Sequence, residues 1–378
     1  MTFINFSIID KFILHLFFIY FIMSFYTKDT RTALQAKEYA QWIAFAPVVF
    51  QAARALRNLK ILETVEHSGI AGITTEEISN QLKLSHYGVR VLVEAGLGIG
   101  LILNNDGRYT LTKAGYFIKS DELSKVNMNF VHDVCYEGMF TLEKSILNGT
   151  PEGLKTFGSW NTVYEGLEDL PAQVQKSWFE FDHFYSDDSF PEVLPVIFKD
   201  NPKTLLDIGA NTGKWTLACL KYNPDVHITM MDLPGQVEMA KKNIVTTGFT
   251  ERVSYYPTNV LDENKPFPKG FDMIWMSQFL DCFSDDQIVS ILKRCATSVN
   301  DNGSIYIMEL FWDKQRFEAA AFSLQMTSLY FTNIANGNSQ MYHSKVFCRL
   351  IEEAGLRVVE ETNEVGISHT LLKCKKLK

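Results

Sequence analysis

The sequence predicts an α/β protein in which a helical N-terminal region precedes a mostly parallel, doubly wound sheet. Seven apolar, strand-like segments follow position 204, and helical patterns fill most of the gaps between them. This alternation is typical of parallel sheets that are covered by helices on both faces. A glycine-rich turn directly follows the first of these segments, and a helix–turn–helix–hairpin pattern typical of a winged helix lies upstream.

Length and composition limit the possible classes of protein. A chain of 378 residues is too long for one ordinary core and suits two domains joined by helices. The formal charge of −8 disfavours binding to nucleic acid, because phosphate backbones are neutralised by Lys and Arg. The six cysteines are scattered without any CxxC pair, so we expect no disulfide framework, no metal site and a cytoplasmic protein.

The first 22 residues differ from the rest of the chain. The segment Phe12–Phe25 is almost continuously apolar, but its length of about 14 residues is below the roughly 17–25 that a spanning helix needs. Asp10 and the lack of a small-residue cleavage site disfavour a signal peptide. We expect translation to begin at Met23, with residues 1–22 an over-extended gene start; a membrane anchor is the alternative.

Residues 23–120 are predicted to form the winged-helix domain. Apolar residues recur at helical spacing between Lys37 and Leu62, which predicts one or two amphipathic helices. Cap residues and turn residues define the next elements. In chain order these are a helix over Ile73–Leu82 capped by Thr74 or Thr75, a helix over Tyr87–Glu94 capped by Ser85, and two strands within Leu101–Leu111 that turn at Asn105-Asp106-Gly107.

The charge pattern of this domain argues against a DNA-binding role. Six basic residues between Lys60 and Lys119 are opposed by six acidic ones. The second helix offers only His86 and Arg90, whereas a DNA reader needs a basic face and several polar side chains. We therefore expect the domain to pack against another subunit and to bind no nucleic acid.

Residues 121–200 are predicted to be a helical linker that is unusually rich in aromatic residues. Aromatic stripes at helical spacing are usually core, and some of these could instead line a substrate pocket. Strands then follow at Thr204–Ile208, His227–Met231, Val253–Pro257, Phe271–Met276, Ser304–Glu309, Arg357–Glu361 and His369–Lys373. Only a short segment separates the last two strands, so they should form an antiparallel pair. Residues 201–378 are assigned to this ligand-binding domain.

The first strand leads into the turn Asp207-Ile208-Gly209-Ala210-Asn211-Thr212-Gly213. Gly209 and Gly213 allow the backbone to bend sharply and to approach a ligand without obstruction by a Cβ atom. The Asp207 carboxylate would repel a pyrophosphate and suits a cationic or amine-bearing ligand. Asp232 ends the second strand, 19 residues past Gly213, where it can accept hydrogen bonds from ribose hydroxyls.

These residues resemble a known family. The Asp207–Gly213 turn looks like the first motif of class I methyltransferases, and Met231-Asp232-Leu233-Pro234 resembles the D-L-P of plant and bacterial small-molecule O-methyltransferases. The winged helix is similar to that family's dimerisation domain. The resemblance implies a Rossmann-like domain with a mostly parallel seven-stranded sheet and a C-terminal antiparallel hairpin, S-adenosylmethionine as cofactor, and a homodimer with intertwined N-terminal helices.

The resemblance also implies the cofactor contacts. Gly209 would meet the cofactor backbone and Asp232 its ribose, with Asp207, Gly213, Leu233 and Ser277 completing the set. Asn259 and Val260 would bind the adenine, although the family usually has aspartate at the position of Asn259. Phe283 stands at a family tryptophan position beside the adenine.

The resemblance to the family is incomplete at the position of the catalytic base. The family's L-H-D-W-S-D stretch is represented by Leu280-Asp281-Cys282-Phe283-Ser284-Asp285, so Asp281 replaces the histidine. Glu309 matches the family carboxylate that orients this histidine, and Met341 lies near the place of a second glutamate. A histidine pKa near 6.5 suits proton abstraction, whereas an ordinary aspartate pKa near 3.9 does not unless burial raises it.

Three explanations remain open. Asp281 is the base, with its pKa raised in a dry pocket. Alternatively, His343 or His183 serves instead. In the third explanation the acceptor is itself acidic and needs no strong base. We favour Asp281, and list Asp281, Glu309 and His343 as the catalytic candidates.

The predicted activity is methyl transfer to oxygen on a small, aromatic or enolic acceptor, which yields S-adenosylhomocysteine. One alternative is a non-catalytic or regulatory protein that binds the cofactor, or DNA through its winged helix. Another is a relative repurposed for decarboxylation or hydroxylation. NAD-dependent oxidoreduction is disfavoured by Asp207 and by the lack of a third phosphate-loop glycine.

Overall fold

The computed structural model describes residues 25–377, so the leader 1–22 and the start at Met23 lie outside the described residues. The chain divides into two compact units. One comprises Lys28–Asp133, and the other comprises the chain from Val134 onward together with residues 25–27. No helix within residues 25–377 combines the length and the apolar composition that crossing a membrane requires.

The N-terminal unit consists of helices and one antiparallel hairpin. Its helices are α1 (Ala33–Asn58), α2 (Ile61–His67), α3 (Thr75–Leu82), α4 (His86–Gly98), α5 (Lys113–Ser120) and α6 (Glu122–Phe130). Strands β1 (Ile102–Asn105) and β2 (Arg108–Leu111) pair antiparallel. The order helix, turn, helix, hairpin confirms the winged-helix prediction.

Local hydrogen bonds explain where these elements begin. Thr74 caps α3: its hydroxyl accepts the Glu77 N–H at 3.2 Å, and the Glu77 carboxylate accepts the Thr74 N–H at 2.8 Å. Helix α4 extends past the predicted Glu94 to Gly98, and Gly96 in this added turn is buried. Asp106 and Gly107 turn the hairpin with φ of 50° and 82°, as a two-residue type I′ turn requires.

The C-terminal unit alternates strands and helices. Its helices are α7 (Leu142–Asn148), α8 (Ala172–Ser186), α9 (Phe190–Ile197), α10 (Lys214–Tyr222), α11 (Pro234–Val245), α12 (Asp285–Ser298), α13 (Glu318–Tyr330) and α14 (Ser344–Glu353). Its strands are β3 (Thr204–Ile208), β4 (His227–Asp232), β5 (Val253–Pro257), β6 (Phe271–Ser277), β7 (Val299–Glu309), β8 (Leu356–Val365) and β9 (His369–Lys376).

These strands form one sheet in the order β5-β4-β3-β6-β7-β9-β8. Strands β3 to β7 pair in parallel, and β9 pairs antiparallel with both β7 and β8. The antiparallel closing pair and the mostly parallel sheet confirm the predicted fold class. Strand β7 begins at Val299, earlier than the predicted Ser304, because Val299 pairs with Phe271 before a register shift.

Both faces of the sheet are buried, as is usual for parallel strands covered by helices. Along β3, Leu206 and Ile208 belong to the apolar core on one face, while Leu205 belongs to the core on the other. The strand order reverses at β3, which lies between β4 and β6. Ligands of such sheets bind outside the carboxyl ends of the strands at this reversal, so the fold places the candidate site there.

Candidate active site

The turn between β3 and α10 has the left-handed backbone that its glycines were predicted to permit. Gly209 and Gly213 have φ of +77° and +82°, and Asn211 between them has φ of 47°. The Gly209 N–H donates to the carbonyl of Met231 at 2.9 Å, which ties the turn to β4. The turn therefore lies directly beside the end of the second strand.

Asp232 is held by this turn. Its Oδ2 accepts the Asn211 N–H at 2.8 Å, and its Oδ1 accepts the Leu233 N–H at 2.7 Å. Burial raises the pKa of Asp232 to about 6, against the opposing effect of these two hydrogen bonds. Leu233 thus contributes to the site through its backbone N–H.

Asp207 lies deeper, with 2% of its surface exposed. Its Oδ2 accepts the Thr216 hydroxyl at 2.6 Å. Burial raises the pKa of Asp207 to about 7; the hydrogen bond from Thr216 opposes this rise, and the nearby Asp232 adds to it. A cation bound beside Asp207 would lower this pKa again, because an opposite charge favours the ionised form.

A pocket opens at the carboxyl ends of β3 and β6. It is lined by Asp182, His183, Phe190, Asp207, Gly209, Ala210, Asn211, Thr212, Lys214, Trp215, Trp275, Ser277 and Gln278. Three buried polar atoms of this lining, Asn211 Oδ1, Trp215 Nε1 and Ser277 Oγ, have no hydrogen-bond partner within residues 25–377.

Buried polar atoms are normally hydrogen-bonded, so these three atoms indicate a polar ligand. Asn211 Oδ1 accepts, Trp215 Nε1 donates, and Ser277 Oγ can do both. An ammonium group and a carboxylate, as at the amino-acid end of S-adenosylmethionine, would satisfy this set. The residues present therefore fit the expected cofactor.

The predicted adenine side is formed by different elements. Val260 is buried in the core, and its carbonyl accepts a hydrogen bond from Arg294. Asn259 is exposed, and its Oδ1 accepts the Leu261 N–H at 2.9 Å. The Asn259 side-chain oxygen is thus engaged by a local backbone hydrogen bond.

Phe279 is a site residue that sequence reasoning missed. A Cβ atom added to Gly209 would lie 2.4 Å from Cδ2 of Phe279, so the aromatic ring lies directly on this glycine. The same ring contacts Phe283 edge to face, with 4.9 Å between centroids. The available signal was its position two residues before Asp281, immediately before the Leu280–Asp285 stretch that the family resemblance marked.

The two carboxyl groups predicted to be catalytic, those of Asp281 and Glu309, are both buried. Glu309, with 1% of its surface exposed, accepts the N–H groups of Phe279 and Leu280 on Oε1 at 3.1 and 2.8 Å. Glu309 therefore supports the backbone immediately before Asp281. Its other oxygen, Oε2, is buried and has no hydrogen-bond partner in the described part of the chain.

Burial and mutual repulsion control the ionisation of this pair. Burial raises the pKa of Asp281, which is 5% exposed, to about 6. Burial, with the negative charge of Asp281 as a second cause, raises the pKa of Glu309 well above its usual range. The two carboxyl groups therefore titrate as one coupled pair, in which burial and mutual repulsion both favour the protonated forms.

The two histidine candidates occupy different places. His343 caps α14: its Nδ1 accepts the Lys345 N–H at 3.1 Å and lies 3.4 Å from the Asp313 carboxylate. His183 lies on α8 in the pocket lining, with its ring stacked on Phe179 at 5.8 Å. The structure thus brings His183 to the cofactor pocket and gives His343 the contacts of a helix cap.

No group of three or more His, Cys, Asp or Glu side chains between residues 25 and 377 is arranged to hold a metal ion. Met341, near the place of the second family glutamate, is buried and has 5% of its surface exposed.

The contact between Gly209 and Phe279 gives a testable prediction. Gly209→Ala must displace the Phe279 ring, so we expect the affinity for S-adenosylhomocysteine, measured by calorimetry, to fall by at least about tenfold, a factor that equals about 1.4 kcal/mol. Gly248→Ala is the matched control, because Gly248 has nearly the same φ of +78° and no atom within 4 Å of the added Cβ. Equal losses in the two variants would contradict a specific role for this contact.

Comparisons with known proteins agree with this geometry. The model of the Dimerisation2-like domain matches residues 37–109, and the model of the O-methyltransferase domain matches residues 193–357. Norreticuline-7-O-methyltransferase from Papaver somniferum is 27% identical over 246 residues, which cover 64% of this chain and 65% of that protein. O-methyltransferase SfmM3 from Streptomyces lavendulae is 25% identical over 173 residues, which cover 44% of this chain and 50% of that protein. The chain therefore spans less than two thirds of the length of these two relatives.

Solved structures share the fold over most of the chain. The apo form of the S-adenosylmethionine-dependent methyltransferase SibL superposes with a TM-score of 0.68 at 22% identity, covering 89% of this chain and 98% of that one. The O-methyltransferase NcsB1 in complex with S-adenosylmethionine and 2-hydroxy-5-methyl naphthoic acid gives a TM-score of 0.63 at 19% identity, covering 92% and 100%. The seven-stranded sheet and the acid–glycine–acid pocket agree with these matches, which show a Dimerisation2-like domain at residues 37–109 and an O-methyltransferase domain at residues 193–357.

Proposed function

We propose that the protein transfers a methyl group from S-adenosylmethionine to a hydroxyl oxygen of a small aromatic or enolic acceptor. The observation that carries this proposal is the pocket at the end of β3, where two carboxyl groups flank a glycine turn. Three buried polar atoms of this pocket have no hydrogen-bond partner within the described residues. The bound cofactor supplies an electrophilic methyl group on its sulfonium. The products are the methyl ether and S-adenosylhomocysteine.

The cofactor contacts follow from the positions of the side chains. Asp232, already fixed by two backbone N–H groups, is placed to bind the ribose hydroxyls. Asn211, Trp215 and Ser277 would bind the amino-acid end through their unpartnered atoms, and the Asp207 carboxylate would attract its ammonium group. Gly209 and Gly213 permit close approach, and Asn259, Val260 and Phe283 are assigned to the adenine.

Asp281 is proposed as the base that accepts the hydroxyl proton of the acceptor. The higher pKa that burial gives Asp281 narrows its gap to a phenol near 10, which favours proton abstraction. Glu309 holds the backbone before Asp281 by accepting two N–H groups, so it acts as a positioning residue. His343, as a helix cap, is less well placed for this role.

The names of the relatives support an aromatic acceptor. One is a norreticuline-7-O-methyltransferase, and another is a 3-hydroxy-5-methyl-1-naphthoate 3-O-methyltransferase from Streptomyces sahachiroi. Both names specify methylation of an oxygen, and the second names a naphthoate, which is a fused aromatic ring system. The aromatic residues of α8, including Trp178 and Phe179, suit such a molecule, because flat rings stack on aromatic side chains.

Transfer of tritium from methyl-labelled S-adenosylmethionine into a panel of phenols and enols tests the proposal. We expect label in at least one acceptor in proportion to enzyme, with S-adenosylhomocysteine formed in equal amount. Cofactor binding without label in any acceptor would favour a regulatory protein. Loss of carbon dioxide or hydroxylation of an acceptor would favour a repurposed enzyme.

A homodimer is proposed from the surface of α1. Leu34, Trp42, Ile43, Phe45 and Val48 of this helix are exposed in the protomer, with 59% of Ile43 and 60% of Phe45 accessible. Large contiguous apolar surfaces are usually covered by a partner. The match of residues 37–109 to a dimerisation domain supports the same conclusion.

Charge on this helix should separate the subunits. In the double variant Ile43→Asp/Phe45→Asp, a carboxylate would be buried at each subunit contact, and we expect sedimentation velocity to show mainly monomer at micromolar concentration. Val245→Asp, on an equally exposed residue of α11 with 64% of its surface accessible, should leave the dimer intact. A double variant that sediments as the parent dimer would remove α1 from the interface.

We also propose the functional division into a winged-helix dimerisation domain (23–120), a helical region that contributes to the acceptor pocket (121–200) and a cofactor domain (201–378). All six cysteines are free thiols, which supports a reducing compartment such as the cytoplasm.

A further inference from the structure

The turn that carries Asp281 is held by side chains from other elements of the C-terminal unit. Residues Leu280–Cys282 form one turn of 3-10 helix between β6 and α12. The two N–H···O bonds that close this turn are 3.2 Å long, and hydrogen bonds of 3-10 turns have poorer geometry than those of α-helices. Glu309 supports the amino-terminal side by accepting the N–H groups of the two residues before Asp281. The carboxyl-terminal side has a separate support.

Asn336 and Tyr342 provide this second support. The Nδ2 group of Asn336 donates to the carbonyl of Cys282 at 2.6 Å. The hydroxyl of Tyr342 donates to the carbonyl of Phe283 at 2.8 Å. Both donors lie in the segment between α13 and α14, 54 and 59 residues further along the chain than the carbonyls they bind. They therefore fix the two peptide groups that directly follow Asp281.

The amide of Asn336 is oriented by its own loop. Its Oδ1 accepts the N–H groups of Asn338 and Ser339 at 3.0 and 3.2 Å, and the Ser339 hydroxyl at 3.0 Å. The backbone N–H of Asn336 donates to the carbonyl of Phe331 at 3.0 Å. Because these donors engage the amide oxygen, the nitrogen is the atom that faces the turn, and only the nitrogen of an amide can donate.

Tyr342 is held by packing. Its side chain is buried, and its ring contacts the ring of Phe347 with 5.7 Å between centroids. The hydroxyl also lies 3.1 Å from Oδ1 of Asp285, in the first turn of α12. Close-packed interiors leave a side chain little freedom to move. The hydroxyl of Tyr342 is therefore a fixed donor that joins the Asp281 turn to the start of α12.

We propose that Asn336 and Tyr342 are positioning residues for methyl transfer, because they hold Asp281 where it can accept the proton of the acceptor. This inference rests on the proposed function and on the role of Asp281 as its base. A general base must lie within hydrogen-bond reach of the proton that it removes. A misplacement of about 1 Å can lower the rate by about 100-fold. The two side chains act through the backbone on either side of the Cys282–Phe283 peptide bond and need no contact with the cofactor.

Two variants each remove one donor. Tyr342→Phe removes the hydroxyl and keeps the ring, and Asn336→Ala removes the amide. Turnover is followed as tritium transfer from methyl-labelled S-adenosylmethionine, on the acceptor that the wild-type protein labels fastest in a panel of phenols and enols that includes catechol, 1-naphthol and acetylacetone. We expect each variant to lose at least about tenfold in turnover, while its affinity for S-adenosylhomocysteine, measured by calorimetry, stays within about twofold of wild type.

A double-mutant cycle separates positioning of the base from a general structural role. In an Asp281→Asn background the base is absent, so its placement no longer affects the rate. We therefore expect Tyr342→Phe and Asn336→Ala to change turnover by less than about twofold in that background. A substitution that only weakens the fold would cause the same fold-loss with and without Asp281.

The chain offers a matched control for each variant. Asn223, at the carboxyl end of α10, accepts the Asp225 N–H at 2.8 Å and donates Nδ2 to the Asn201 side chain at 3.3 Å. The Tyr256 hydroxyl donates to the carbonyl of Pro266 at 2.8 Å. Asn223→Ala and Tyr256→Phe thus remove the same kinds of contact elsewhere, and both should keep wild-type turnover at saturating cofactor.

The outcomes distinguish this inference from the proposed function. Wild-type turnover in Tyr342→Phe and Asn336→Ala, equal losses in the two controls, or an undiminished loss in the Asp281→Asn background overturns the positioning role. Unchanged turnover in Asp281→Asn alone overturns it as well, and so does a loss of cofactor affinity as large as the loss of turnover. In each of these cases, label transfer by the wild-type protein leaves the proposed methyl transfer intact. A wild-type protein that labels no acceptor of the panel overturns both.

Discussion

Replacement of Asp232 by alanine is expected to abolish measurable binding of S-adenosylmethionine and S-adenosylhomocysteine. The carboxylate fixes the glycine turn by accepting the Asn211 N–H at 2.8 Å, and it accepts the Leu233 N–H at 2.7 Å as well. Alanine would leave both donors unpaired, which costs about 1–3 kcal/mol each. It would also remove the proposed acceptor for the ribose hydroxyls, so we expect an affinity loss of at least about 100-fold, or about 2.7 kcal/mol.

Two controls accompany this measurement. Asp225→Ala, at the exposed amino-terminal end of β4, should bind the cofactor like the wild-type protein. Circular dichroism should show that Asp232→Ala keeps its helix and strand content. Retention of more than a tenth of the wild-type affinity in a folded Asp232→Ala protein would show that the ribose lies elsewhere.

The second large effect is expected for Asp281→Asn. Turnover should fall by at least about tenfold, since a positioned general base contributes roughly 100-fold or more, while the affinity for S-adenosylhomocysteine stays close to wild type. The loss should shrink for acceptors whose hydroxyl has a pKa near 7, because these need less help to lose the proton. A larger loss in His343→Asn than in Asp281→Asn would transfer the role to His343.

The pH dependence of turnover gives an independent check. Burial raises the pKa of Asp281 to about 6, so wild-type turnover should rise with pH through about 6 and level off above it. In Asp281→Asn this plateau should disappear, and the rate should rise with pH as the acceptor itself ionises. Identical profiles for the two proteins would rule out Asp281 as the base.

The same ionisation destabilises the fold. Because the pKa of Asp281 is higher in the folded protein than in the unfolded chain, its contribution to stability is fully present below pH 3.8 and is lost as pH rises through about 6. Asp281→Asn should therefore melt at a higher temperature than wild type at pH 8, and this gain should shrink as pH is lowered through 6. The opposite trend would place Asp281 in an ion pair.

Most of the fold could be predicted from the sequence because its local signals agree. Strands β3 and β5 begin and end at the predicted residues. The apolar run of β3 stops before Gly209, and that of β5 stops at Pro257. The extension of β7 over residues 299–303 was missed because Asn-Asp-Asn-Gly is typical of a turn. There the pairing of Val299 with Phe271, a contact distant in sequence, overrides local propensity.

The candidate site was predictable only in part. Asp207, Gly209, Gly213 and Asp232 follow from strand ends and a glycine turn, because parallel strands bring their carboxyl ends to one edge. The contact of Phe279 with Gly209 depends on tertiary packing that no spacing reveals. The raised pKa values of Asp281 and Glu309 likewise depend on burial, which a single sequence does not specify.

Calorimetry on the purified wild-type protein tests the central claim, that two carboxyl groups around the β3 turn bind an adenosyl sulfonium. We predict saturable heat from S-adenosylmethionine and S-adenosylhomocysteine at a stoichiometry of about one per chain, and none from NAD. Tight binding of NAD, with no heat from either S-adenosyl compound, would contradict the account.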